Sequence, residues 1–268
     1  FSKPGSLTSL GSDFFLFFRM KPFVAVFLTL TFFQTGLLKA QTTTTFSGWL
    51  AEFGRVELGN KYSLHIEAQL RSTNEWENIQ TLVLRGGLNY NLRPNQVITI
   101  GYGYFSNRRV IDGVTGYVPE DRIWEQYSFT ESFSFHSHFV TIQNRFRLEQ
   151  RFIGQASVQD NQLVTDSFAF AQRIRYFARM IVPLGKSAGN TFLKGTYISL
   201  QDEVFVNFGD ISVVNGKYFD QNRAYFSVGY RFSAKNDTEI GYMNQYVLGQ
   251  GSTRVSNNIL QLATYIRL

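Results

Sequence analysis

Residues Val140 to Phe152, reading VTIQNRFRLEQRF, leave this chain few ways to fold. In an extended strand successive side chains alternate between two faces. Val140, Ile142, Phe146, Leu148 and Phe152 then share one face, and Thr141, Gln143, Arg145, Arg147, Glu149 and Arg151 share the other. One wall is greasy and the other charged. A helix would spread the arginines around its circumference, and a soluble sandwich would have to cover the apolar face with a second sheet while leaving the arginines in water. A transmembrane barrel satisfies both faces, with lipid outside and an aqueous or salt-bridged lumen inside, and about 9–11 tilted residues suffice to cross.

The same alternation recurs along the chain. Segments at 46–58, 62–71, 81–92, 97–105, 122–135, 140–152, 167–184, 192–208, 223–232, 239–248 and 258–268 each set apolar residues against polar or small ones. Between 62 and 71 nothing breaks it: Tyr62, Leu64, Ile66, Ala68 and Leu70 oppose Ser63, His65, Glu67, Gln69 and Arg71. Beyond residue 41 no apolar run approaches the roughly 18 residues of a membrane helix, so any span must be made of strands. Connections are expected to alternate, short at 59–60, 93–96, 136–138, 185–190 and 234–237 and longer at 72–78, 110–121, 154–165, 209–219 and 249–257. Short periplasmic turns and long extracellular loops give an outer-membrane barrel that rhythm. The last segment, with Leu260, Leu262, Ile266 and Leu268 on one face, resembles the terminal signal read by the barrel-assembly machinery. The expected fold is thus all-β, a transmembrane antiparallel up-and-down barrel of about 10–12 strands. Eleven segments sit awkwardly with the even strand number of single-chain bacterial barrels, and ten or twelve are the expected resolutions. Glu125 and Glu131 fall on the outward face of the fifth segment, where a bulge or a misplaced register would explain them.

The first forty residues read as targeting sequence. Met20 and Lys21 precede an apolar run from Phe23 to Phe33, and Leu37, Leu38, Lys39 and Ala40 lead to Gln41. A charged start, a short apolar core and a small residue before the cut make a secretory signal peptide over 20–40, with 41–268 as the barrel and 1–19 as an over-called start. About half of the net charge of +6 belongs to this leader, so the basic balance does not indicate a nucleic-acid partner. Without cysteine the chain has no disulfide scaffold and no thiolate zinc site.

GLNYNL followed by ITIGYGYF, then EDRIWEQ, NRFRLEQRF with RIRYFARMIVPL, EVFVNF and FDQNRAYFSVGYRF together resemble domain-of-unknown-function family 2490. The resemblance runs from about Trp49 to the C-terminus. It implies a β-barrel in the bacterial outer membrane and carries no established activity, so no catalytic residue transfers.

The distinctive chemistry is an arginine-rich inner face. Alternation turns Arg85, Arg122, Arg145, Arg147, Glu149, Arg151, Arg173, Arg175, Arg179, Glu203, Arg223 and Arg231 into the lumen, joined by Arg71 and Glu67. Buried charges must be paired or hydrated, and the guanidinium fork matches a carboxylate. Such a face either laces a narrow barrel into a salt-bridged core or, where arginines outnumber carboxylates, lines an anion-favouring channel. The different-class alternative is an outer-membrane enzyme acting on lipid or lipopolysaccharide, which needs a nucleophile and a base together at the lipid-facing surface. His65 should face the lumen, and His136 and His138 sit in a polar turn. Neither arrangement assigns a catalytic residue, a metal or a cofactor. The expected partners are outer-membrane lipid and lipopolysaccharide, the assembly machinery and small anionic solutes. GYGYF at Gly101 to Phe105 is no phosphate loop, since no helix follows and the glycines alternate with outward tyrosines.

Overall fold

A computed structural model describes residues 42–135, 138–185 and 192–268. The expected leader at 1–40 lies outside the described residues, as do His136 and Ser137. Among the described residues the alternating segments form eleven strands: β1 (Thr43–Glu57), β2 (Tyr62–Ser72), β3 (Ile79–Arg93), β4 (Gln96–Ile111), β5 (Val114–Phe135), β6 (His138–Gln159), β7 (Gln162–Pro183), β8 (Gly195–Phe208), β9 (Phe219–Ser233), β10 (Asn236–Leu248) and β11 (Arg254–Arg267). Each pairs antiparallel with the next, and β1 closes the barrel against β11 in parallel, in register from Thr43 opposite Val255 to Arg55 opposite Arg267. The wall therefore has neither ten strands nor twelve. An odd meander brings its first and last strands together pointing the same way, and a parallel ladder pairs them without an extra strand.

Strand direction fixes two rims. Leu268 and the β1–β2, β3–β4, β5–β6, β7–β8 and β9–β10 connections share one, the C-terminal rim; β1 begins at the other, with the remaining connections. At that opposite rim two expected loops prove to be strand. The 110–121 stretch is the end of β4, a turn at Asp112-Gly113 and the start of β5, and 154–165 similarly turns at Asp160-Asn161. Both turns place both residues at positive φ, 48° and 80° in one and 48° and 59° in the other. This is the twist a two-residue hairpin needs, and Asp, Asn and Gly tolerate it best. β5, β6 and β7 reach 22 residues each, roughly twice a bilayer crossing. The short turn expected at 185–190 falls, apart from Gly185, outside the described residues. The long-short rhythm of loops thus gives way to strands of unequal length.

The outward face is apolar and open: Leu50, Ile66, Leu84, Ile100, Phe146, Ile174, Phe226 and Ile240 are each between 44% and 57% exposed. Glu125 does point outward, beside Ile100 and Leu148, and no bulge intervenes, since β5 keeps unbroken register with both β4 and β6. Its carboxylate instead accepts a hydrogen bond from Gln150 Nε2 at 3.1 Å. Other outward polar groups pair in the same way: Tyr176 Oη donates to Asn144 at 2.9 Å, and Asn222 Nδ2 to Asp202 at 2.9 Å.

Inside, large aromatics lie over glycines of neighbouring strands. Trp124 is fully buried across Gly87 and Gly101, where a Cβ on Gly101 would stand 2.3 Å from the indole. Tyr197 covers Gly229 and Tyr225 covers Gly241 in the same manner. The inward glycines of GYGYF are therefore space for Trp124 and, at Gly103, for the Arg85 stem.

Candidate functional site

The charged faces of β5 to β9 meet inside the barrel as one lattice of ion pairs. Glu149, with no exposed surface, receives Arg173 and Arg175 at 2.6 Å each and Arg122 at 3.5 Å. Arg175 also reaches Glu203 at 2.7 Å, which Arg145 contacts at 2.7 Å from two strands away. Arg122 and Arg151 share Glu120 at 2.7 Å each, and Arg173 extends to Asp220 at 2.5 Å. Glu149, Glu203 and Glu120 so take guanidinium donors from two strands each, which is what permits charge in a buried interior.

Smaller knots flank the lattice. Glu239 accepts Arg179 at 2.5 Å and the hydroxyls of Tyr265, Tyr197 and Tyr225 at 2.8, 3.1 and 3.3 Å. At the C-terminal rim Asp237 is clasped by Arg231 and Arg267, both at 2.8 Å. Glu67 binds Arg85 and takes Gln69 Nε2 at 2.5 Å, with His65 Nε2 3.5 Å away.

Three interior arginines stand apart. Among the described residues no carboxylate lies within 4.0 Å of Arg71, Arg147 or Arg223. Each leans instead on a glutamine oxygen and an aromatic face. Arg71 donates to Gln69 at 2.7 Å with its guanidinium 4.0 Å from the Trp49 ring. Arg147 donates to Gln126 at 2.7 Å and lies 4.3 Å from Trp124. Arg223 donates to Gln221 at 3.2 Å and lies 5.0 Å from Trp49 and 4.7 Å from Phe205. Ring faces attract cations without neutralising them.

The twelve residues expected in the lumen differ in how deeply they are buried. Arg85, Arg122, Arg147, Glu149, Arg173, Arg175, Arg179, Glu203 and Arg223 are buried, while Arg145, Arg151 and Arg231 are half-buried. Sequence reasoning missed four interior carboxylates. Glu120 and Asp220 stood in or beside expected loops, and Asp237 in an expected turn. Glu239 was readable, because it alternates with the outward Ile240 and Tyr242. His65 packs edge-on against Trp124 at 5.5 Å between ring centres. Among the described residues no three His, Cys, Asp or Glu side chains are placed to hold a metal ion.

Among the described residues the lattice borders two chambers. One of about 210 Å³ is lined by Asn107, Arg109, Glu120 and Asp220 on the side of the opposite rim. The other, about 340 Å³, is lined by Arg55, Thr130, Gln143 and Arg267 on the side of the C-terminal rim. Arg71, Arg85, Arg175 and Arg223 stand in the walls of both. These four arginines, the waist of the interior, therefore border both chambers.

The family model described as "Protein of unknown function (DUF2490)" matches residues 46–256, from β1 into β11. The chain belongs to this family. The DUF2490 match includes every waist arginine and every member of the lattice. A relative in Methylorubrum extorquens, named only as an uncharacterized protein, is 27% identical to this DUF2490 chain over 202 residues, covering 75% of the chain and 78% of the relative. No solved structure matches the chain.

Proposed function

We propose that this DUF2490 barrel sits in the bacterial outer membrane and acts as a narrow, anion-favouring pore whose Arg/Glu lattice also stiffens the wall. The observation that carries the reading is the waist: chambers reaching toward opposite rims meet at Arg71, Arg85, Arg175 and Arg223. A ring of arginines at a constriction admits anions and repels cations. The open apolar outer face suits contact with lipid and lipopolysaccharide, and the alternating terminal strand suits delivery by the barrel-assembly machinery after export. Small anionic solutes are the expected traffic.

The test is single-channel conductance of the refolded protein in a planar bilayer, first in symmetric salt and then across a salt gradient. Steady conductance with a reversal potential on the anion side is expected, with selectivity reduced by Arg175→Gln. A heat-modifiable, correctly folded protein that passes no current would overturn the pore and leave the structural role.

A further inference from the structure

We infer that the waist is an oxyanion-binding site, taking a phosphate group between Arg71 and Arg223 with Arg85 beside them. Arg71 of β2 and Arg223 of β9 approach one indole, Trp49, at 4.0 and 5.0 Å, so two like charges from opposite parts of the wall are held close together. Neither has a carboxylate partner among the described residues, although the neighbouring lattice pairs its arginines densely. Crowding unneutralised guanidiniums in a poorly solvated interior is unfavourable unless an anion joins them.

Their donors are also left available. Arg71 uses Nε and Nη2 on Gln69, and Arg223 uses Nε on Gln221. Nη1 of Arg71 and both Nη groups of Arg223 find no acceptor among the described residues, and both side chains line the 210 Å³ chamber. Arg223 is held from behind by Gln221, which accepts a second hydrogen bond from Gln245 at 2.6 Å, and by the Phe205 ring. A fork fixed on its far side and free on its near side is preorganised for bidentate contact with two oxygens. Phosphate and sulfate offer each fork a pair of oxygens and carry more than one charge, whereas chloride offers both forks a single acceptor atom and one charge. The chamber wall is polar throughout apart from Phe205, so the ligand class is a small, multiply charged oxyanion or a phosphate ester, not an apolar molecule.

The inference rests on the pore reading only in that the chamber must be reachable from one rim. It is tested by titration calorimetry of the full chain refolded in detergent, using inorganic phosphate, glucose 6-phosphate and chloride in turn. Phosphate is expected to bind at one site per chain while chloride gives no saturable heat. Arg223→Gln should weaken phosphate at least about tenfold, the loss expected for one charge-assisted contact. Arg223→Lys should recover part of this. Arg223→Gln removes a like charge and Arg223→Lys keeps it on a smaller head group, so neither adds crowding and both should fold; heat-modifiability on a gel checks that they do. Equal affinity for the ester and the free ion would assign a site for a phosphate group on a larger molecule; preference for inorganic phosphate would assign the free ion. No saturable phosphate heat in the folded parent, or an affinity unchanged in Arg223→Gln, would overturn the site. Phosphate binding without bilayer current keeps the site and removes the pore, and current without binding does the reverse.

Discussion

Replacing Glu149 with Gln removes one charge and almost no volume from the centre of the lattice. Glu149 is fully buried and holds three guanidiniums, those of Arg173, Arg175 and Arg122. Breaking a buried pair so that its partner is left alone costs about 3–5 kcal/mol. Here no arginine is left alone: Arg173 keeps Asp220 at 2.5 Å, Arg175 keeps Glu203 at 2.7 Å and Arg122 keeps Glu120 at 2.7 Å. The cost should therefore fall at the lower end, about 3 kcal/mol, or roughly a hundredfold in the folding equilibrium. Glu239→Gln is the sharper companion, because Arg179 has no second carboxylate among the described residues and should cost at least as much. Reversible urea unfolding in detergent micelles, followed by tryptophan fluorescence, measures both. If Glu149→Gln unfolds within about 0.5 kcal/mol of the parent, hydration from the neighbouring chambers and not Glu149 compensates these arginines, and the ion-pair lattice does not stiffen the wall.

Gly101→Val should cost about 1–3 kcal/mol and alter the near-ultraviolet circular dichroism of Trp124, since the added Cβ meets both the indole and the Gly86 carbonyl, whereas Gly86→Ala, with nothing within 4 Å, should change neither. Glu125→Leu on the outward face should raise stability in a lipid bilayer by about 1 kcal/mol, a carboxylate costing less there than the ~2–4 kcal/mol of a midplane Arg or Lys. Unchanged bilayer stability in Glu125→Leu would place that face away from hydrocarbon.

The wall was legible because its rule is local. A period of two, with apolar residues on one parity and arginines on the other, survives in β2, β6, β7 and β9 without any knowledge of the partner strand. The same parity grouped the arginines with Glu149 and Glu203 but did not reach Glu120, Asp220 and Asp237, which stood in or beside expected loops and turns. What parity could not supply was length: the distal ends of β4 to β7 carry polar residues on both parities, as at Ser106, Asn107, Arg108 and Arg109, so their alternation fades and the segments resemble loops. The telling signals there were Asp112-Gly113 and Asp160-Asn161, two-residue turns in the middle of supposed loops. Pairing was also beyond reach, since Glu203 meets Arg145 across an intervening strand and Glu239 meets Arg179 across two. The expected bulge at Glu125 came from treating an outward carboxylate as an error, when a same-face glutamine on β6 satisfies it.

The parallel seam gives the barrel a sidedness that even-stranded walls lack. Set in a bilayer, the start of β1 and the end of β11 face different compartments, so a tag inserted ahead of Thr43 and one appended after Leu268 would be reached by protease from opposite sides. Assembly must then carry the leading end of β1 across the membrane instead of leaving both ends where the chain arrived. Slanted parallel hydrogen bonds are also the weaker kind, which makes the join between first and last strands the place where the wall would part under lateral load.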